Sequence, residues 1–282
     1  MGPDKTAAPS GRRRLIVNAD DFGRSPSINR AVLRAHQAGV LTTASLMVNE
    51  PACPEAVALA KENPSLGVGL HLTLLCGHSA LPSATIPGLV NSQKQFTDNS
   101  VAAGFRYFFD TRLRRQLRDE IHAQFKGFRA TGLPLDHVNG HLHLHLHPIV
   151  FQILMADAHE LGFERVRLTC DPLWLNLGLA SGHLGYRTSH ALIFRTLSAL
   201  ARPKLKLRRF KHTDRVFGLL QNARVNEEFL LRLLARLPAG DSELYSHPSL
   251  DEFKEEFEAL VSPRVRQQVK ALGIELIRYQ DL

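Results

Sequence analysis

The chain has 282 residues, 44% hydrophobic and 22% charged, an ordinary globular balance with room for one large domain or two small ones. No apolar run reaches the roughly 18 residues that suggest a membrane span. A net charge of +8 and a pI near 9.7 point toward acidic partners or an anionic surface, without naming either.

Met1 to Arg14 opens with Pro, Ala, Ser and Gly and ends in three arginines; lacking an apolar h-region, it reads as a disordered basic leader over 1–13 and not as a signal peptide. Leu15 to Ala19 is a short apolar strand that ends at Asp20-Asp21-Phe22-Gly23. Pro26 to Ala38 has helical spacing, with Ser25 as cap and Gly39 as stop. A strand over Leu41–Val48, a helix over Pro54–Glu62 and a strand over Leu66–Leu74 follow. A less regular stretch to about Asn99 precedes a long amphipathic helix, Arg112–Arg129. Then come a strand from Leu135 to about His141, a helix over Pro148–Leu161 and strand-like Arg165–Leu168. Cys53, Cys76 and Cys170 are odd in number and far apart, so they form neither a disulfide framework nor a thiolate zinc site and fit a reducing cytoplasm. The C-terminal part alternates Val216–Leu220, a helix over Asn226–Leu237, Glu243–Ser246, a helix over Asp251–Leu272 and a strand over Ile274–Tyr279. About seven strand–helix units predict a parallel α/β sheet closed into a (β/α) barrel, a single domain over 14–282 with a basic and apolar insertion at about 173–212.

In such a barrel, residues at the C-terminal ends of strands converge on one face. Asp20, Asp21, His71, His141 and His247 all occupy strand ends. Paired acids at a turn often only cap a helix; as a catalytic pair, one would bind a cation and the other accept a proton. His71 lies in a strand whose same-face neighbours, Gly69 and Thr73, are small or polar. The strongest signal is Asp136 to Pro148, which holds five of the chain's 14 histidines. Read as extended chain, it sets His137, Asn139, His141, His143, His145 and His147 on one side and Val138, Leu142, Leu144 and Leu146 on the other, under the helices. Imidazoles suit divalent transition metals, and those that do not bind the ion can support it or the substrate. His247 could protonate a leaving amine if it faces the metal. Arg167 and Asp214, beside predicted strands, could orient a histidine or the substrate.

Val17-Asn18-Ala19-Asp20-Asp21-Phe22-Gly23, Gly69-Leu70-His71-Leu72, the run His137–His145 and Glu243–Pro248 together resemble the YdjC-like carbohydrate deacetylases, over most of Arg14–Leu282. Asp136-His137-Val138-Asn139-Gly140-His141 with His143, His145 and His147-Pro148 is most similar to the hopanoid-biosynthesis branch, HpnK. The resemblance implies a distorted (β/α) barrel that removes acetyl from an N-acetylated sugar. It implies one divalent metal ion, magnesium or zinc, on Asp21, His71 and His141, with Asp20 as base and His247 as acid or its partner. For that branch the implied substrate is an N-acetylglucosaminyl hopanoid, giving a glucosaminyl hopanoid. His137, His143, His145, Arg167 and Asp214 are left as supporting or substrate-contacting residues.

Three other readings stay open beside this one: a chitooligosaccharide deacetylase, a metal phosphoesterase, and a non-enzymatic binding module resting on pI alone. Nucleic acid is not expected as a partner, because the basic run from Arg202 interleaves only Phe210 for stacking. Apolar Leu173–Phe194 followed by that basic run suits peripheral contact with an anionic membrane, at the inner face from the cytoplasm. A homodimer is also left open.

Overall fold

The computed structural model describes residues 11–179, 182–221 and 223–282. Their elements are β1 (Arg13–Phe22), α1 (Pro26–Ala38), β2 (Thr43–Leu46), α2 (Cys53–Glu62), β3 (Gly67–Leu72), α3 (Ser100–Phe109), α4 (Leu113–Ala130) and β4 (Val138–Gly140). The chain continues through α5 (Pro148–Leu161), α6 (Leu173–Leu177), α7 (Leu184–Leu207), β5 (Arg215–Phe217), α8 (Glu227–Ala235), β6 (Gly240–Ser246), α9 (Lys254–Val261), α10 (Pro263–Ala271) and β7 (Glu275–Leu276). Every pairing between these strands is parallel, in the order β4-β3-β2-β1-β6-β5, with β7 against the start of β1.

The gap between β4 and β5 is spanned by irregular backbone at 165–170. Val138 N donates to Arg165 O and Arg167 N to Val138 O on one side; Val166 N donates to Lys211 O and Val216 N to Cys170 O on the other. These bonds satisfy backbone groups that an open sheet edge would leave exposed, and they make the expected distorted α/β barrel.

Strand alternation decides what lies inside. In β1, Leu15, Val17 and Ala19 join the large apolar core shared with the helices, while Ile16 packs with Ile277 and Tyr279 in a separate cluster. Asn18 and Asp20 follow Ile16 on that inner side, so the barrel is plugged by apolar side chains at one end and becomes polar toward the other. Outside, α1 shows why such a helix forms: Ser25 Oγ accepts from Ile28 N, Pro26 opens the first turn, and Ile28, Ala31, Val32 and Ala35 bury one stripe. Each large apolar side chain so buried contributes about 1.5–3 kcal/mol.

Four expectations change. β1 already begins at Arg13, a buried residue, and Arg12 forms a fork with Glu275 at 2.7 and 2.8 Å, so the end of the expected leader belongs to the fold; its residues 1–10 lie outside the described residues. The helix expected over Asp251–Leu272 is two, because Ser262 accepts from Arg264 N and Val265 N and Pro263 starts a new first turn. The closing strand contracts to Glu275–Leu276. The region 173–212 is mostly α7, whose 24 residues carry an internal Pro203. Among the described residues no helix is long and apolar enough to cross a membrane.

Candidate active site

Successive strand residues point to opposite faces, so two adjacent aspartates should not share a pocket. β1 solves this at its end: pairing with β2 shifts register between Ala19 and Phe22, and Asp21 takes a left-handed φ of 63°. Such a conformation costs a non-glycine residue roughly 1–2 kcal/mol, and it turns both carboxylates into the same cavity, which they line together.

Asp21 Oδ1 lies 2.9 Å from His141 Nδ1 and 3.2 Å from His71 Nε2. One ligand atom from each of the three buried side chains lies within 4.8 Å of the others, a set that could hold a metal ion. The second nitrogen of His71 is already committed. Asn139, its register neighbour on β4, presents Oδ1 at 2.7 Å to His71 Nδ1, while Asn139 Nδ2 donates to Ser45 Oγ at 2.8 Å. Nδ1 of His71 therefore carries the proton and Nε2 is left for the cluster, the arrangement that orients metal-binding histidines. Burial opposes charge on Asp21, but the two imidazoles hold its carboxyl well below the ordinary range. Burial likewise opposes charge on His71, yet Asp20 and Asp21 raise its pKa.

Asp20 sits beside this set in a different environment. Arg167, fully buried, forks onto it at 2.7 and 2.9 Å and onto Glu243 Oε1 at 2.9 and 2.7 Å. Asn18 Nδ2 donates to Asp20 Oδ1 at 2.8 Å, and Tyr279 Oη donates to Glu243 Oε2. The Arg167 cation also lies 4.5 Å from the centre of the Tyr245 ring. Burial would raise the Asp20 pKa; Arg167 outweighs it and keeps the carboxylate ionised.

The histidine run does not stay extended. After β4 it coils through a tight turn at 141–146, with left-handed Leu142 and His143 at φ 50° and 58°. The imidazoles consequently separate. His141 joins Asp21. His143 lines the cavity, with Nε2 2.9 Å from Tyr245 Oη and Nδ1 3.3 Å from Thr169 Oγ1; burial, with Arg167 nearby, holds its pKa well below the usual value. His145 supports the wall: its Nε2 lies 2.9 Å from Arg167 O, and burial pushes its pKa down to about 3. His137 lies beneath, between Asp136 Oδ2 and Ser45 Oγ at 2.9 Å each and stacked on Tyr279. Leu142, expected under the helices, is exposed at the cavity mouth.

His247 lines the same cavity, with Nδ1 3.8 Å from Glu256 Oε2. Asp214 does not join the group. It is exposed at the start of β5, the opposite end of the barrel, where it pairs with the Asp241 backbone. Glu243 and Tyr245 were missed although they alternate along β6 toward His247, one residue beyond its end, the period that places all three on the inner face.

The cavity encloses about 1050 Å³. Its floor is the acid–histidine set, and its rim is apolar: Phe105 and Phe108 of α3, Ile193 and Phe194 of α7, Leu142 and Phe253.

The profile of the YdjC-like protein family matches residues 14–271. A carbohydrate deacetylase of Geobacillus stearothermophilus is 41% identical over 158 residues, covering 55% of this chain and 60% of its own length. One from Brevibacillus brevis is 40% identical over 52% of this chain and 56% of its own, so the matched stretch spans little more than half of these two relatives. A chitooligosaccharide deacetylase of Proteus mirabilis is 31% identical over 95% of this chain and 98% of its own length. A solved structure from Enterococcus faecalis V583, provisionally described as a cellobiose-phosphate cleavage protein, shares the fold at a TM-score of 0.75 and 22% identity, covering 96% of this chain and 99% of that one. With the family profile running from β1 through α10 and a relative aligned along nearly its whole length, the chain belongs to the YdjC-like protein family.

Proposed function

We propose that the chain is a metal-dependent N-deacetylase that removes acetyl from an N-acetylglucosamine-type sugar. The observation that carries this reading is the Asp21–His71–His141 set on the floor of the cavity with ionised Asp20 next to it. The donors fit a hard or borderline divalent ion such as magnesium or zinc: one carboxylate held ionised, and one imidazole whose other nitrogen is tied to Asn139. When bound there, such an ion supplies polarisation of the acetamide carbonyl and eases deprotonation of water.

The remaining work falls to the chain. Arg167 fixes the Asp20 carboxylate in one orientation, and Asp20 takes a proton from the water whose oxygen bonds to the acetyl carbon. The C–N bond breaks, and His247 gives the departing amine its proton, with Glu256 behind its Nδ1. His143 and Tyr245, hydrogen-bonded to each other in the cavity wall, position the sugar. The names of the deacetylase relatives support this chemistry.

The apolar rim supports a lipid-linked sugar, an N-acetylglucosaminyl hopanoid, as does the resemblance of the histidine run to the hopanoid-biosynthesis branch. A soluble chitooligosaccharide is the second reading. A polar recess of about 560 Å³ adjoins the cavity through Arg24 and Cys76 and offers Asn91, Gln95 and Asp98, groups suited to a further sugar. Mass spectrometry of incubations with both substrates decides: a loss of about 42 mass units, absent with Asp20→Asn, is expected on the glycolipid. Loss on the oligosaccharide alone would favour the second reading. Phosphate release from a generic ester without acetate release would replace deacetylation by a metal phosphoesterase.

A further inference from the structure

The outer face of α7 is unlike the surface of an ordinary barrel helix. Leu192, Thr196, Leu200, Pro203 and Leu207 recur at i, i+4, i+8, i+11 and i+15, the spacing of one helical stripe. The stripe points outward: Leu192 is 68% exposed, Leu200 65% and Leu207 84%. The buried side of the same helix is a separate set, Ala191, Ser198, Ala201 and Leu205. Exposed Arg195, Arg202, Lys204 and Lys206 flank the leucines. No Asp or Glu occurs anywhere between Asp171 and Asp214, while eight Lys and Arg do.

An outward leucine stripe whose charged neighbours along its own helix are all cations is complementary to a surface that is apolar inside and anionic outside. A second protein copy would supply no such match, because its own α7 would repel this one. The stripe is continuous with the mouth of the cavity. Ile193, half exposed, borders the stripe and lines the cavity, and α3 stands across the opening with Phe105 and with Phe109, 70% exposed. The two rings are parallel at 6.1 Å, an arrangement that keeps α3's apolar edge presented outward.

We propose that α7, with the aromatic edge of α3, docks the protein on an anionic lipid bilayer so that the cavity mouth faces the membrane. The surface does not depend on what reaction the cavity performs, and its test uses no turnover. The full chain is sedimented with phosphatidylcholine vesicles, with and without phosphatidylglycerol.

The expected result is at least tenfold stronger partitioning onto the anionic vesicles, weakened by salt. Replacing Arg202, Lys204 and Lys206 by Ser weakens it on the order of fivefold per cation removed. Replacing Leu192, Leu200 and Leu207 by Gln removes the part that survives high salt. These side chains are exposed, so circular dichroism and thermal unfolding of both triple variants should match the parent. Absence of vesicle binding, or binding unchanged in both variants, would overturn the proposal. So would a dimer, seen by light scattering, that the leucine variant alone dissociates, since the stripe would then belong to a second copy.

Discussion

Arg167 is the residue on which the interior depends most, because one guanidinium pairs with two buried carboxylates, Asp20 and Glu243. Removing one member of a buried ionic group leaves the others uncompensated and costs about 3–5 kcal/mol. Arg167→Met is therefore expected to lower the unfolding free energy by that amount in urea titration. Arg167→Lys should fall between, keeping charge but losing the double fork. Asp20→Asn leaves Arg167 paired with Glu243; folding should survive while kcat for acetate release falls by about 10²–10⁴. A different carboxyl adds its own pH-dependent contribution. Asp171 accepts from Asn176 Nδ2 and Leu220 N, but burial outweighs both and raises its pKa from 3.8 to about 7. The folded state thus keeps a proton that the unfolded chain releases. Its stabilisation is complete below about pH 4 and lost as pH rises through about 7. Between about pH 5 and 8 this contribution runs against that of His143 and His145, which burial keeps neutral, so it is read as a difference: the stability of the parent relative to Asp171→Asn should fall as pH rises through that window.

At the scale of elements, the site is built where regular structure gives way. β3 brings His71 to Asn139 through the pairing of β3 with β4, and Gly69 leaves room below. A Cβ at Gly69 would come 2.5 Å from the His137 ring, itself stacked on Tyr279 and bonded on both sides. Gly69→Ala is expected to destabilise by about 1–3 kcal/mol, the range for overpacking, and to lower the thermal midpoint. The strands and most helices were legible because hydrophobic period and caps agree, as Ser25, Pro26 and Gly39 do around α1. The coil after Gly140 was not, since alternating His and Leu carries the pattern of a strand while the backbone turns through left-handed Leu142 and His143. Glu243 was readable in principle from its alternation with Tyr245 and His247. Its role was not, because Arg167 reaches it only through barrel closure. α7 escaped for another reason: leucines on its outer face blur the single apolar stripe that marks a packed helix.

On the scale of the molecule, barrel closure gathers residues from β1, β3, β6 and the turn after β4 into one cavity floor, braced from behind by Arg167, while α3 and α7 supply its apolar rim. Fold and family follow from nearly the whole chain; the proposed metal and reaction rest on three side chains. Chelator-treated protein, repleted stepwise with zinc or magnesium, tests these directly through bound metal per chain and acetate released from an N-acetylglucosamine substrate. Activity is expected to vanish on chelation and return in proportion as one ion binds, with both ion and activity lost in His71→Ala and His141→Ala. Full acetate release from metal-free protein, or stoichiometric binding undiminished in those variants, would contradict the account.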